Sequence, residues 1–375
     1  MTATLDLAKP FGATPAMWQL FKGFFEEGHE VLIIPYHGSS IDSIWWKSYQ
    51  NPNYYKGVIL EKLLSLSKSN SKLKNGGIIP ALARAFSKPK LEKLIIDILT
   101  KEKGVEALLL IGVPLNQLTG LATSVKKICN IPVIYYDLDV PTSLPSAGGF
   151  TFNYYVGAVL DEYDSIIIPS EGCVQELKDL GARNVNVVHF GVDPDVYSPL
   201  STDKDIDFFF FGNGGAARKK NVTMMITEPS RVLQKSTFIV SGRGMDIDVG
   251  NASIIPPLSF TEWRKYCCRS KINLNVVREL HASVYATSTS RPFELAALEC
   301  CIVSAPYKGL EKWLEIGKEV FIANSSKECV ELYEMLLDNT ELRRKSGLAA
   351  RDRVRREHTC RHRVREIVGI INGVT

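Results

Sequence analysis

The chain has 375 residues, more than a single hydrophobic core usually accommodates, so we expect two domains. Hydrophobic residues make up 45% and charged residues 23% of the sequence, values that are typical of a soluble globular protein. The net charge of +4 is compatible with binding to nucleotide phosphates or to an anionic membrane surface, but it does not indicate a nucleic-acid partner.

Cysteine spacing and the lack of long apolar runs indicate the cellular compartment. The eight cysteines include two adjacent pairs but no CxxC pair, which fits neither a zinc site nor a disulfide framework. We therefore expect the cysteines to be small buried apolar residues of a protein in a reducing compartment. The first ten residues lack the basic start and apolar run of a signal peptide, and no run reaches about eighteen apolar residues. These patterns predict a cytoplasmic protein, and peripheral contact with the inner face of a membrane stays open.

The first predicted elements are a weak strand over residues 2–7, a small-residue loop, and a helix from about Pro15 to Glu27. The run HEVLIIPY then predicts a buried strand, and His37 follows its carboxyl end, where open α/β sheets bind ligands. Gly12, in the first loop, would let a substrate approach backbone N–H groups. Gly12 and His37 are therefore candidate ligand contacts. A plain loop glycine and a structural histidine are the alternatives.

A lysine-rich segment extends from Lys56 to Lys103 and is predicted to be partly helical. Leu91, Leu94, Ile95 and Ile98 form one apolar stripe with lysines beside it. The pattern favours a helix that covers the sheet. The alternative is a helix that lies on a membrane surface.

Two aspartates follow a strand that is predicted over residues 131–136, after another apolar strand over 105–113. Asp137 and Asp139 alternate at the carboxyl end of this strand, a position suited to chemistry. Either carboxylate could act as a general base or orient a substrate hydroxyl. Helix capping or an ion pair with a lysine is the alternative.

The second half repeats the pattern of the first. A strand over residues 207–211 is followed by a loop that contains Gly212 and Gly214, and then by Arg218 and Lys219. A strand, a glycine loop and basic residues at a helix start form an arrangement that can hold phosphate. The loop has neither the GxGxxG nor the P-loop spacing, which makes a Rossmann dehydrogenase the less favoured interpretation. A solvated basic turn is the other interpretation.

A third cluster of candidate residues follows the strand predicted over residues 271–277. Arg278 comes directly after this strand, and its alternative role is an ion pair with Glu279 or Glu294. Ser290 or a close neighbour can cap the next helix, whose first turn contains Arg291 and Glu294. A guanidinium near a diphosphate and a carboxylate near ribose hydroxyls would together hold a sugar-nucleotide. An ordinary crossover with a surface Arg–Glu pair is the alternative.

The segment from Leu274 to Ala323, which contains LNVVR and SRPFELAALECCIVSAP, resembles the C-terminal domain of glycosyltransferases of GT-B fold. It is most similar to the CgeB-like, or spore-maturation-protein-like, branch related to glycosyltransferase family 4. The resemblance continues over Leu342 to Ile367, and Tyr163 to Pro199 is similar to the domain junction of that family.

This resemblance implies an α/β fold with two Rossmann-like domains that face each other across a cleft. It implies an acceptor-side domain over residues 1–200, in which Gly12 and His37 are the acceptor-side candidates, a nucleotide-sugar domain over 201–355, and a C-terminal helix over 356–375 that packs back on the first domain. The donor-binding residues that it implies, together with the patterns above, are Gly212, Gly214, Arg218, Lys219, Arg278, Ser290, Arg291 and Glu294.

One position departs from the family pattern. Family 4 enzymes commonly have a glutamate eight residues before the second one, and here that position is Ala286. Ser288, Ser290 and Arg291 could supply the donor contacts that the acid would have made.

The predicted activity is transfer of a sugar from a nucleotide-diphosphate sugar to the hydroxyl of a glycan, a lipid-linked or a small-molecule acceptor. The family relationship implies a metal-independent reaction that retains the anomeric configuration, and no cofactor is expected. A non-catalytic sugar-nucleotide or glycan-binding module and a nucleotide-sugar epimerase are the alternatives. The missing first glutamate is the best argument for the binding module.

Overall fold

The computed structural model describes residues 1–5, 16–54, 78–147 and 154–374. The described chain divides into two compact units. The first contains the described residues within 1–6, 24–188 and 365–375, and the second those within 7–23 and 189–364. The domain bounds given above, and the acceptor and donor roles assigned to the domains, remain predictions.

The first unit is built on a parallel six-stranded sheet in the order β3-β1-β5-β6-β7-β8. The strands β6 and β7 have the sequences VIYY and SIII and are buried throughout, as expected for central parallel strands covered on both faces. A small separate sheet pairs β2 with β4. The strand bounds are β1 Thr2–Thr4, β2 Leu32–Ile33, β3 Pro35–His37, β4 Lys47–Ser48, β5 Leu108–Ile111, β6 Val133–Tyr136, β7 Ser165–Ile168 and β8 Val185–Val187.

Helices cover the first sheet. Leu91, Ile95 and Ile98 are buried on one face of α3, which packs against α5, so most of the predicted apolar stripe faces the protein, and its place on the sheet stays a prediction. The helices in this half of the chain are α1 Ala16–Glu26, whose residues 16–23 belong to the second unit, α2 Ile78–Leu82, α3 Lys88–Lys101, α4 Leu115–Leu118, α5 Leu121–Cys129 and α6 Val174–Asp179, and a π-helical turn over Ala83–Ser87 joins α2 to α3. Residues 6–15 and 55–77 lie outside the described residues, and with them Gly12 and much of the lysine-rich segment.

The second unit contains a second parallel six-stranded sheet, in the order β11-β10-β9-β12-β13-β14. The first strand along the chain, β9, lies in the middle, and the order grows outward on both sides as in a doubly wound Rossmann sheet. Phe208 of β9 pairs with Phe238 on one side and with Ile272 on the other. The strand bounds are β9 Ile206–Phe211, β10 Phe238–Ser241, β11 Ser253–Ile255, β12 Ser270–Asn275, β13 Ile302–Ser304 and β14 Phe321–Ile322.

Large aromatic side chains form the core between this sheet and its helices. Phe208, Trp263, Phe293 and Tyr333 are fully buried, and the hydroxyl of Tyr333 donates to the carbonyl of Met225 at 2.9 Å. The helices are α7 Lys219–Val222, α8 Glu228–Val232, α9 Phe260–Arg269, α10 Glu279–Ser283, α11 Ser290–Ala297, α12 Ser326–Asp338, α13 Thr340–Glu357 and α14 Cys360–Val374.

Several predictions about the architecture can be compared directly with these elements. The parallel α/β class is confirmed, but HEVLIIPY was predicted as one strand and is divided between β2 and β3, which belong to different sheets. From Arg365 onward, α14 belongs to the first unit, where Arg365 Nε donates to Glu27 Oε2 at 2.7 Å. The predicted return of the C-terminal helix to the first unit is therefore confirmed.

Two further expectations concerned disulfides and membrane-spanning helices. All eight cysteines lie in the described part of the chain; none forms a disulfide, and seven are buried. Among the described residues, no helix is both long enough and apolar enough to cross a membrane.

Candidate functional site

The order of the second sheet identifies where a ligand would bind. The chain leaves β9 toward β10 on one side, and β12 starts the other half of the sheet, so the strand order reverses between β9 and β12. Open α/β sheets bind ligands in the crevice that this reversal creates at the carboxyl ends of the strands. The loop with Gly212 and Gly214 follows β9, and Arg278 follows β12. The sequence-predicted donor residues therefore surround this point.

The glycines after β9 have a packing role. A Cβ on Gly214 would lie 2.1 Å from the carbonyl oxygen of Gly244, and a Cβ on Gly242 would lie 1.9 Å from the carbonyl oxygen of Gly212. The two loops that follow β9 and β10 thus pack backbone against backbone, and Gly214 N donates to Arg243 O at 2.8 Å. This contact explains why glycine is required at Gly214 and Gly242, whereas a Cβ on Gly212 would lie 2.8 Å from the ring of Phe210. The predicted contact of Gly212 and Gly214 with a donor remains a prediction.

Arg218 ties the two sides of the crevice together. Its Nε donates to the carbonyl of Val276, after β12, at 2.9 Å, and its Nη1 donates to the carbonyl of Asn213, after β9, at 2.8 Å. Asn221 makes a parallel connection, because its Nδ2 donates to the carbonyl of Val277 at 3.0 Å. Burial, followed by the nearby charges of Arg278 and Arg291, lowers the pKa of Arg218 to about 9. The two carbonyls therefore hold the guanidinium in position. No acidic side chain is among the causes of its pKa shift.

The same positive charge also affects a second buried group, a histidine. His281, on α10, is buried, and its pKa is lowered to about 3 by burial and then by the charges of Arg278 and Arg218. Its Nδ1 accepts no hydrogen bond from the described residues. Lys219, the other predicted phosphate ligand, is exposed on α7. Three arginines and a neutral histidine therefore gather at the strand reversal, where an anion would relieve the repulsion between the cations.

Arg291 is held by two aromatic rings and one acid. Its guanidinium carbon lies 4.7 Å from the ring centre of Trp263 and 5.1 Å from that of Phe211. Its Nη1 lies 3.2 Å from Oε2 of Glu294, within the first turn of α11. This pair was expected on the surface if it was structural. Glu294 is instead 2% exposed, so the surface-pair alternative is wrong in that respect.

The carboxylate of Glu294 faces the protein. Its Oε1 accepts a hydrogen bond of 3.2 Å from the hydroxyl of Tyr197, and its Oε2 faces Arg291. A ribose contact by Glu294 stays a prediction, and the geometry favours a positioning role toward Arg291. Ser290 is half-buried as the first residue of α11, and the cap residue is Thr289.

The position of the missing glutamate has a physical explanation. Ala286 is fully buried and has a φ of +46°, in the left-handed region that disfavours a long side chain. It packs on Gly309, where an added Cβ would lie 2.5 Å from the backbone N of Ala286. Ser288, a suggested substitute, is buried and accepts a hydrogen bond from Phe190 N at 2.9 Å. Ser288 therefore already has a structural contact.

In the first unit, Asp137 is the buried centre of a hydrogen-bond network. Its carboxylate accepts from the hydroxyls of Ser143 and Tyr155, both at 2.6 Å, and from the backbone N–H of Asp139 at 2.8 Å. Burial raises the pKa of Asp137, and the hydrogen bonds from Ser143 and Tyr155 oppose that rise. Asp139 is half-buried. A catalytic role for either acid stays a prediction, and Asp139 is the more accessible of the two.

His37 ends the edge strand β3 and is exposed, with its ring 4.7 Å from that of Tyr36 in an edge-on arrangement. Its position at a strand end is as predicted, whereas acceptor contact remains a prediction. In the described part of the chain, no group of three or more His, Cys, Asp or Glu side chains could hold a metal ion. Metal independence of the reaction likewise remains a prediction.

Sequence reasoning missed four residues of this site. Trp263 and Phe211 enclose Arg291, Asn221 connects the two loops, and His281 lies among the arginines. Asn221 and His281 lie three residues from Arg218 and Arg278, so helical spacing could have suggested them. Trp263 gives no local signal.

Comparison with known proteins supports this interpretation of the fold. Residues 222–369 match the family model described as glycosyl transferase-like. No curated protein matches the chain. Among solved structures, sucrose-phosphate synthase from Thermosynechococcus elongatus matches with a TM-score of 0.66 at 11% identity, covering 100% of this chain and 98% of that chain.

Two further solved structures agree. Anabaena Alr3699/HepE in complex with UDP-glucose matches with a TM-score of 0.62 at 11% identity, covering 99% of both chains. A glycosyltransferase from Rickettsia africae matches with a TM-score of 0.59 at 14% identity, covering 96% of this chain and 94% of that chain. The chain therefore has the predicted GT-B fold, and its residues 222–369 are similar to a glycosyl transferase-like family.

Proposed function

We propose that this protein is a glycosyltransferase that transfers a sugar, of the hexosyl type, from a nucleotide-diphosphate sugar to an acceptor hydroxyl. The observation that carries the proposal is the cluster of Arg218, Arg278 and Arg291 at the strand reversal of the second sheet. The glycosyl transferase-like match includes Arg278 and Arg291. A diphosphate is the ligand class that such a cluster of guanidinium groups suits.

The arginines would act on the charge that develops during the reaction. An acceptor oxygen attacks the anomeric carbon, the bond from that carbon to the phosphate oxygen breaks, and the bonding electrons remain on the nucleoside diphosphate. Arg218 is held by two backbone carbonyls, so its charge is oriented before the donor arrives. Glu294 would position Arg291 for the same purpose. No step in this scheme requires a metal ion.

The acceptor proton has two routes. In a retaining reaction by front-face attack, as the family 4 resemblance implies, it passes to the departing phosphate oxygen. In an inverting reaction, a carboxylate takes it, and Asp139 is better suited than Asp137, whose oxygens already accept three hydrogen bonds. We favour retention. Gly12 and His37 remain the proposed acceptor-side residues.

A uridine diphosphate sugar is the first donor class to test, because the Anabaena structure contains UDP-glucose and an Escherichia coli structure of the same fold contains UDP-2-fluoro glucose. The acceptor would be a glycan, a lipid-linked molecule or a small molecule. The cysteines, none of which forms a disulfide, fit a reducing, cytoplasmic setting.

The experiment is a thermal-shift panel with UDP, GDP, ADP and CMP and their sugars, followed by donor turnover. A ligand at 100 times its dissociation constant adds about 2.7 kcal/mol, which is enough to shift the melting temperature. We expect one diphosphate to stabilise the wild type and not the variant Arg218→Ala. Arg231→Ala is the matched control, because Arg231 is an exposed arginine paired with Glu228 and Asp248. A lack of response to every nucleotide would overturn the donor site.

A non-catalytic binding module is the second candidate, favoured by the buried Ala286 and by the enclosed carboxylate of Asp137. Binding of a diphosphate without donor hydrolysis or transfer would support that module. Interconversion of the sugar without an acceptor would instead indicate an epimerase.

A further inference from the structure

An apolar face is exposed on the segment that leads into α3. Leu82 is 52% and Phe86 is 67% exposed, and they lie four residues apart along α2 and the π-helical turn. Ala81, Ala85 and Pro89 are also exposed. These side chains recur at helical spacing and form one face, which we call the 82–86 face.

The opposite side of this segment is fixed to the first unit. Arg84 Nη1 donates to the carbonyl of Asn116 at 2.6 Å, and Asn53 Nδ2 donates to the carbonyl of Ser87 at 2.9 Å. Leu91 begins the buried stripe of α3 in the next turn. The polar side chain of Arg84 is therefore turned toward the protein and the large apolar side chains are turned toward solvent, the reverse of an ordinary surface helix.

The sequence around this face carries an excess of positive charge. Residues 78–103 contain six lysines and arginines and three acids, an excess of three, within a chain whose net charge is +4. Over residues 56–103 the count is eleven against four, so the rest of the sequence is net acidic. Lys90 and Lys93 follow Phe86 and are exposed, and Lys93 also forms an exposed ion pair of 2.6 Å with Asp97.

We propose that the 82–86 face docks on an anionic lipid bilayer, with Leu82 and Phe86 inserted at the headgroup boundary and Lys90 and Lys93 on the phosphates. Apolar side chains beside basic ones are what an interfacial membrane contact requires. A second copy of the chain fits less well, because a two-fold interface at this face would bring the lysines of both copies together. A lipid-linked acceptor becomes the favoured class, an extension that rests on the proposed transferase activity.

The test is co-sedimentation of the full chain with two kinds of vesicle, one of phosphatidylcholine and one of equal parts phosphatidylcholine and phosphatidylglycerol. We expect binding to the anionic vesicles that weakens as salt is added. The double variant Leu82→Ser/Phe86→Ser should bind at least about tenfold more weakly, and Lys90→Glu about fivefold more weakly. The matched control is Ile44→Ser/Val232→Ser, which removes two exposed apolar side chains elsewhere and should bind like the wild type.

Nucleoside diphosphate binding is measured on the same variants and should not change, so failure of the lipid proposal is distinguishable from failure of the donor site. Sedimentation that is equal with both vesicles, absent, or unaffected by Leu82→Ser/Phe86→Ser would overturn the proposal. So would a dimer that the double variant dissociates, since the occupant of the face would then be a second copy.

Discussion

The charged side chains at the carboxyl edges of the two sheets have different surroundings. After β6 in the first unit, Asp137 is buried and accepts hydrogen bonds from two hydroxyls and a backbone N–H. After β9 and β12 in the second unit, Arg218, Arg278 and Arg291 lie near one another, and only Arg291 has a carboxylate at ion-pair distance among the described residues. A satisfied buried charge stabilises the fold, whereas an excess of like charge indicates a site prepared for a ligand.

The largest effect is expected at Asp137. The variant Asp137→Ala leaves the hydroxyls of Ser143 and Tyr155 without their acceptor, so the free energy of unfolding should fall by about 3 kcal/mol. Urea unfolding measures this loss. Asp139→Ala, at a half-buried position, should cost clearly less. If Asp137→Ala is as stable as the wild type but loses transfer activity, the carboxylate is catalytic and our comparison of the two sheets is wrong.

The next effect is expected at Arg278. In Arg278→Ala, the affinity for the nucleoside diphosphate should fall by about 2 kcal/mol, near thirtyfold, because a charge-assisted contact is lost. The free energy of unfolding without ligand should not fall, since repulsion of Arg218 is relieved at the same time. Calorimetry and urea unfolding measure the two quantities, with Arg231→Ala as the control. Equal loss of stability and affinity would assign Arg278 to the fold.

Glu294 lies between these two cases, because Tyr197 donates to one oxygen and the other only faces Arg291. We expect Glu294→Gln to lower diphosphate affinity by about 1.5 kcal/mol through the displaced arginine. A positioning role predicts the same loss for a ribonucleoside diphosphate and for its 2′-deoxy form. A loss confined to the ribonucleotide would show that the carboxylate contacts the ribose directly.

The smallest effect concerns His358, another half-satisfied buried group. Arg363 Nη2 lies 2.6 Å from its Nδ1, and burial followed by the charge of Arg363 lowers its pKa from 6.5 to about 3. The unfolded chain then binds a proton below pH 6.5 that the folded chain refuses, so stability falls as the pH falls through this range. Between pH 7.5 and 5.5, His358→Asn should lose about 1 kcal/mol less than the wild type, measured by urea unfolding.

The sequence predicted the parts of this molecule that depend on local pattern. Continuous apolar runs such as VIYY and DFFFF became buried parallel strands, and the residues directly after them lie where strand ends place them. Arg218 and Arg278 could be predicted as neighbours because each follows one of two central strands. The resemblance to a family then identified the loop that carries Arg291.

The remainder depends on contacts between distant parts of the chain. Trp263 covers Arg291 from another helix, and Tyr197 reaches Glu294 across 97 positions. Asp137 is enclosed by Tyr155, which lies 18 positions further along. Sequence periodicity does not show contacts between residues that are far apart along the chain. The sequence could therefore suggest that these acids were important, but it could not distinguish a structural carboxylate from a reactive one.

The backbone at Ala286 also constrains how this protein could change. A glutamate at this position would meet two obstacles at once, the left-handed backbone of Ala286 and its close contact with Gly309. The single substitution Ala286→Glu would therefore strain the loop. The neighbouring Tyr285 is 45% exposed, and its ring centre lies 5.6 Å from Lys312 Nζ, so a carboxylate engineered there would meet solvent and a cation instead of the packed backbone of Gly309.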